Sequence, residues 1–182
     1  MELLDYVNKY RLPQDILDYN FTLEFDQWAK HQWYAPGQAQ EQDISDPKIN
    51  YICDKEAHSI FSPVIYDLVK KYCREHSPDK MIKYMSPPRL NKYDEGDYMK
   101  EHADLIYSLF REAPPEKQGV PVVSVITDVS EEYTGGELII CGQDMQMITG
   151  DDVIIFPSAF MYRHEVLPVT SGTRISIVNW AW

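Results

Sequence analysis

His102 and Asp104 stand two positions apart, and that spacing is where chemistry first suggests itself in this chain. If the backbone there is extended, both side chains leave the same face, and one cation could touch an imidazole nitrogen and a carboxylate oxygen together. A third ligand would have to come from elsewhere. His164 lies in or beside the segment between Ile154-Ile155-Phe156-Pro157-Ser158-Ala159-Phe160 and the last strand-like run, and two facing sheets could bring it opposite. Two imidazoles and one carboxylate cover one face of an iron ion and leave positions open. The competing reading makes His-x-Asp a coincidence and His164 a hydrogen-bonded core histidine. The other three histidines, His31, His58 and His76, have no comparable context.

Arg174 raises a second question. The run Gly172-Thr173-Arg174-Ile175-Ser176-Ile177 alternates as a strand does, which places Arg174 and Ser176 on one side. Burying a guanidinium without an anion costs several kcal/mol, whereas a bidentate carboxylate returns charge-assisted hydrogen bonds of roughly 1.5 to 3 kcal/mol. A dicarboxylate co-substrate would meet that need. So would a salt bridge to one of the chain's own 29 acidic residues.

The pattern of apolar residues changes character near residue 80. Before it, Ile60, Phe61, Val64, Ile65, Leu68, Val69, Tyr72 and Cys73 recur at helical spacing, with Pro63 read as the opening turn and Pro78 beyond the close. Phe21, Phe25, Trp28 and Trp33 suggest a shorter helix and its exit, and Pro36-Gly37 begins a polar loop through Asp46. From residue 81 the apolar runs are short and β-branched, as in VPVVSVITDV, GGELII, DDVIIF and TRISIVNW. No helix-length segment separates them after residue 110, so parallel crossovers are excluded and an antiparallel sandwich or barrel remains. The expectation is a mainly β protein with N-terminal helices and a jelly-roll, or double-stranded β-helix, core. It is read as a single domain over 1–182, with helical support in 1–80 and the catalytic core in 81–182. The segments Asp46 to Asp54 and Phe110 to Gly119 are read as loops with no substrate code.

Bulk properties narrow the classes. The chain has 182 residues, 44% hydrophobic and 25% charged, which suits a single globular domain. Its net charge of −12 would repel a phosphate backbone, so nucleic acid is disfavoured as a partner. No run approaches the roughly 18 to 20 apolar residues of a membrane span, and the start lacks a basic segment followed by an apolar one. A cytoplasmic address without membrane contact is the expectation. Cys53, Cys73 and Cys141 are too few and too scattered for a disulfide framework or a zinc pattern. Lys70, Lys71 and Arg74 sit where the helix should end and complement its dipole. Trp180 and Trp182 read as core or edge packing rather than substrate stackers, and Asp144 and Glu165 are not taken as ligands.

Four ordered motifs then combine. Tyr93-Asp-Glu-Gly-Asp-Tyr98-Met-Lys-Glu-His102-Ala-Asp104, Gly135-Gly136-Glu137-Leu138, Gly150-Asp-Asp-Val-Ile-Ile-Phe156-Pro157 and His164-Glu-Val-Leu-Pro168-Val-Thr-Ser-Gly172-Thr-Arg174 together resemble the prolyl 4-hydroxylase-like branch of the iron(II)/2-oxoglutarate oxygenases, over about residues 81–182. The resemblance implies that His102, Asp104 and His164 bind Fe(2+) and that Arg174 binds the distal carboxylate of 2-oxoglutarate. It also implies that Tyr93 hydrogen-bonds the co-substrate and that Ser176 assists at the same carboxylate. Dioxygen is the other co-substrate, with ascorbate in a supporting role. Two departures stand out: the basic residue is arginine where collagen-type enzymes use lysine, and the run Ile126-Thr127-Asp128 stands where many relatives have an aromatic. The implied activity is hydroxylation of a protein or peptide side chain, prolyl or other. The alternatives are an oxygenase of a free amino acid or small metabolite, and a metal-binding β-sandwich interaction module without turnover.

Overall fold

The computed structural model describes residues 2–17, 29–30, 34–35, 38–39, 48–51, 55–76, 82–104, 120–130, 132–147 and 150–182. A 3-10 turn at Leu3–Tyr6 is followed by strand β1 (Asn8–Arg11), helix α1 (Gln14–Leu17), β2 (Ala29–Lys30), β3 (Tyr34–Ala35), β4 (Gln38–Ala39), β5 (Lys48–Tyr51) and helix α2 (Lys55–His76). Then come β6 (Arg89–Tyr93), β7 (Met99–His102), β8 (Val123–Asp128), β9 (Tyr133–Gly135), β10 (Leu138–Ile140) and β11 (Gln143–Asp144). The last four strands are β12 (Asp152–Pro157), β13 (His164–Val166), β14 (Val169–Gly172) and β15 (Arg174–Ala181).

The major sheet runs β1-β12-β8-β15-β6-β5-β2, and the minor sheet runs β11-β10-β13-β7. Every pairing among the described residues is antiparallel. This is the double-stranded β-helix expected from the turn-bounded apolar runs. Side-chain alternation sorts the major sheet into two faces. Val153, Ile155, Val123, Val125, Ile177, Ala181 and Leu90 point outward and join Phe61, Ile65, Val69 and Tyr72 of α2 in one apolar cluster. The opposite parity points inward, where Ile126, Ile154, Phe156 and Tyr93 pack with Leu138, Ile140, Met99 and Val166 of the minor sheet. Covered on both faces, β8 and β12 are buried at nearly every position; β12 carries the continuous apolar run Val153 to Phe156, whereas β8 mixes Val123, Val125 and Ile126 with the buried polar residues Ser124, Thr127 and Asp128.

Several expectations need correction. The N-terminal eighty residues supply more than helices, because β1 and β5-β2 extend the major sheet at its two edges. Lys48–Tyr51, read as loop, is β5, paired with β6 from Lys48↔Lys92 to Tyr51↔Arg89. Its four residues carry too little apolar alternation to announce a strand, and it is the partner edge that orders them. α2 begins at Lys55, so Pro63 lies inside the helix rather than in its opening turn, the polar first turn having hidden the true start. Within the expected loop that begins at Pro36-Gly37, β4 pairs with β3. The helix suggested around Phe21, Phe25, Trp28 and Trp33, and the loop Phe110 to Gly119, lie outside the described residues. Among the described residues no helix is long and apolar enough to cross a membrane.

Candidate active site

The two histidines are direct register partners, His164 on β13 facing His102 on β7, with ring centroids 4.3 Å apart. Asp104 lies just beyond β7. Its Oδ1 is 3.6 Å from His102 Nε2 and its Oδ2 3.7 Å from His164 Nε2. One ligand atom from each residue falls within 4.8 Å of the others, so the three could hold one metal ion. Extended backbone at His102 thus does what the two-residue spacing requires.

The hydrogen bonds around the triad prepare it for a cation. His102 Nδ1 lies 2.7 Å from the Lys100 carbonyl and His164 Nδ1 lies 3.1 Å from the Tyr162 carbonyl. A carbonyl only accepts, so each Nδ1 carries a proton and each ring turns its Nε2 toward Asp104. Burial, reinforced by the neighbouring His164 imidazole, lowers the His102 pKa to about 4, which keeps the His102 ring neutral near pH 7. Burial pushes the Asp104 carboxyl up, but the neighbouring histidines and the Ser124 hydroxyl outweigh it and hold the group below the usual carboxylate range. Ser124 Oγ donates to Asp104 Oδ2 at 2.8 Å and lies 2.7 Å from Ser158 Oγ. A hydroxyl has a single proton, so Ser158 is the donor to Ser124. Phe156 packs edge-on against the His164 ring at 5.0 Å.

All six residues named from the sequence line one cavity: His102, Asp104, His164, Arg174, Tyr93 and Ser176. Arg174 is 1% exposed. Its Nη1 donates to Ser176 Oγ at 3.3 Å, its Nη2 to Met147 Sδ at 3.9 Å, and its guanidinium carbon is 5.3 Å from the Tyr93 ring centroid. Nε lies 3.5 Å from Asp128 Oδ2 but makes no well-formed hydrogen bond. The salt-bridge reading of Arg174 is therefore met in part by Asp128. Burial opposes the charge on Arg174, yet Asp128 and the phenols of Tyr93 and Tyr133 raise its pKa. With five N–H donors and few strong acceptors, the guanidinium retains capacity for an anion entering from the cavity.

Gly136 explains part of the Gly-Gly motif. At φ +66 a Cβ there would lie 3.0 Å from Arg174 Cδ and 3.0 Å from Val169 Cγ2, so only glycine admits the arginine stem. Sequence reasoning missed Arg89, Asn91 and Trp180, which also line the cavity. Arg89 and Asn91 alternate with Tyr93 on β6, and that parity was the available signal. Trp180 is buried, as expected of a core residue, but it faces the site and carries the Arg89 guanidinium 4.8 Å over its ring. Trp182 packs on Tyr84 instead, at 5.4 Å. The site gains nothing from Asp144 or Glu165, neither of which joins the metal-ligating group.

The family model described as the 2OG-Fe(II) oxygenase superfamily matches residues 88–182, more than half of the chain. This chain belongs to that superfamily. The matched span holds all six site residues. Among curated members, the chain is similar to a PKHD-type hydroxylase of Alteromonas mediterranea, 30% identical over 97 residues that cover 52% of this chain and 42% of that protein. It is also similar to one from Janthinobacterium sp., 33% identical over 110 residues, covering 54% and 44%. The chain thus spans under half the length of these relatives. In fold, it resembles a Pseudomonas putida prolyl-4-hydroxylase with TM-score 0.64 at 17% identity, covering 98% of this chain and 96% of that one. It likewise resembles a Trichoplax adhaerens prolyl hydroxylase solved in complex with a hypoxia inducible factor peptide fragment, TM-score 0.63 at 20% identity, covering 85% and 70%.

Proposed function

We propose that this chain is an iron(II)- and 2-oxoglutarate-dependent dioxygenase that hydroxylates a side chain of a protein or peptide, prolyl among the candidates. The carrying observation is the cavity itself, in which two Nε2 atoms and a carboxylate converge while a buried arginine faces the same space. Membership of the superfamily supports the reaction class, and the likeness in fold to the peptide-bound Trichoplax enzyme supports a peptide substrate. The donor set fits iron(II), since two imidazoles and one carboxylate are the ligands that this ion takes with open positions remaining.

Iron(II) held there would supply activation of dioxygen, one atom of which would end in succinate as 2-oxoglutarate loses carbon dioxide and the other in a substrate C–H bond. The chain's residues arrange this. His102, Asp104 and His164 hold the metal from one side, and the two Nδ1 bonds to backbone carbonyls fix the ring orientations. Arg174 binds the distal carboxylate of 2-oxoglutarate, Ser176 steadies Nη1 of that arginine, and Tyr93 offers its phenol and ring within the same wall. The apolar walls, Ile126, Val166 and Val178 among them, exclude water from the reacting atoms.

Four measurements test this reading. Purified protein with iron(II), ascorbate and 2-oxoglutarate should form succinate, and product mass spectrometry should find an oxygen atom gained on a peptide. Gain on small molecules alone would move the substrate to a free metabolite, and no succinate under any condition would leave a binding module. His102→Ala should abolish metal binding, whereas Arg174→Ala should keep the metal and weaken 2-oxoglutarate roughly 10- to 100-fold. Unchanged co-substrate affinity in Arg174→Ala would sink the clamp.

A further inference from the structure

Asp128 is fully buried at the end of β8, behind the cavity wall rather than in it. Two donors fix its carboxylate independently of the arginine. Ser130 N–H donates to Oδ1 at 2.9 Å and the Tyr133 hydroxyl donates to Oδ2 at 2.6 Å. The same Oδ2 faces Arg174 Nε at 3.5 Å. Arg174 is therefore braced on several sides: Asp128 at Nε, Ser176 at Nη1, the Tyr93 ring against its face, and Gly136 beside Cδ. A guanidinium so braced keeps its plane and its terminal N–H groups in place before any ligand arrives, which removes an ordering cost from binding. Asp128 also compensates a buried charge that would otherwise be costly in the empty site.

We propose that Asp128, held by Tyr133, is a positioning residue that sets Arg174 for the terminal carboxylate of the co-substrate and so determines which dicarboxylate length the clamp accepts. This rests on the co-substrate reading above. Asp128 acts through Arg174 and touches no reacting atom.

The test is anaerobic calorimetry on the Mn(II)-loaded protein with 2-oxoglutarate and with 2-oxoadipate, which is one methylene longer. Asp128→Asn should weaken 2-oxoglutarate about tenfold, leave Mn(II) affinity at the wild-type value, and draw the preference between the two acids toward unity. A purely structural role would lower Tm without altering that preference. Tyr133→Phe should give a smaller loss in the same direction, about threefold. In an Arg174→Met background, Asp128→Asn should add no further loss. Wild-type affinity and preference in Asp128→Asn, or tighter binding of 2-oxoglutarate, overturns the proposal. Should that variant fail to fold, Tyr133→Phe decides alone, and no change in it overturns the proposal equally. Failure of the underlying clamp has a different signature, because then Arg174→Met itself binds 2-oxoglutarate as the wild type does.

Discussion

Ser124 gives its one proton to Asp104 and receives one from Ser158, so a buried chain of hydroxyls ends on a candidate metal ligand. The carboxylate owes its orientation to β8, while the histidines owe theirs to β7 and β13. Removing such an outer partner typically weakens metal binding 10- to 100-fold. Ser124→Ala should therefore reduce Mn(II) affinity by about that factor, with the dicarboxylate preference intact, and a Mn(II) titration followed by electron paramagnetic resonance measures it. Gly136→Ala should behave the opposite way. Its φ of +66 and its contacts with Arg174 Cδ and Val169 Cγ2 predict a stability loss of about 1 kcal/mol or more and weaker 2-oxoglutarate, with Mn(II) affinity kept. Urea unfolding alongside calorimetry separates the two effects. The sequence offered Ser124 only as a small polar residue in a β-branched run and Gly136 only as part of a motif, with neither contact visible.

At the scale of elements, α2 and the inner strands do separable work. Phe61 is 1% exposed and packs on the outward face of the major sheet, remote from the inward parity that builds the site. Phe61→Ala should cost about 3 to 5 kcal/mol of stability while the folded fraction binds metal as before, which equilibrium unfolding and metal titration of the same sample will show. Legibility follows the same division. β8, β10, β12 and β15 were readable because β-branched runs bounded by turn residues have few other solutions, and α2 because its apolar residues repeat at helical spacing. Motif order put His102, Asp104, His164 and Arg174 forward together, and the structure brings all four to one cavity. β1 and β5 were not readable, since strands of four mixed residues, at the sheet edge or one strand in from it, take their conformation from the neighbours they pair with. Ser124, Asp128 and Tyr133 escaped for a related reason: what matters about each is a contact across strands or sheets, and no spacing along the chain encodes it.

Across the whole molecule, burial leaves a signature in alkali. Tyr133 is pushed up to about 12 by burial and by the Asp128 carboxylate, and burial likewise raises Tyr10 and Tyr72 far above their ordinary value. Above about pH 10 the unfolded chain has released these phenolic protons while the folded chain still holds them. The folded state then binds more protons, so stability is complete below pH 10 and falls as pH rises toward 12. Urea midpoints measured from pH 8 upward should decline past pH 10, and ultraviolet absorbance should show these phenols ionising together with unfolding.

The split anchoring of the triad has a mechanical consequence. Because Asp104 is tethered through Ser124 to one sheet and His102 and His164 belong to the other, an ion bound there would act as a rivet between the two layers. Its affinity becomes a gauge of the gap between them. Core exchanges at Ile154 or Leu138, which pack in the apolar cluster between the layers, would register in metal titrations before they register in activity, and the metal would in turn resist any slackening of the sandwich.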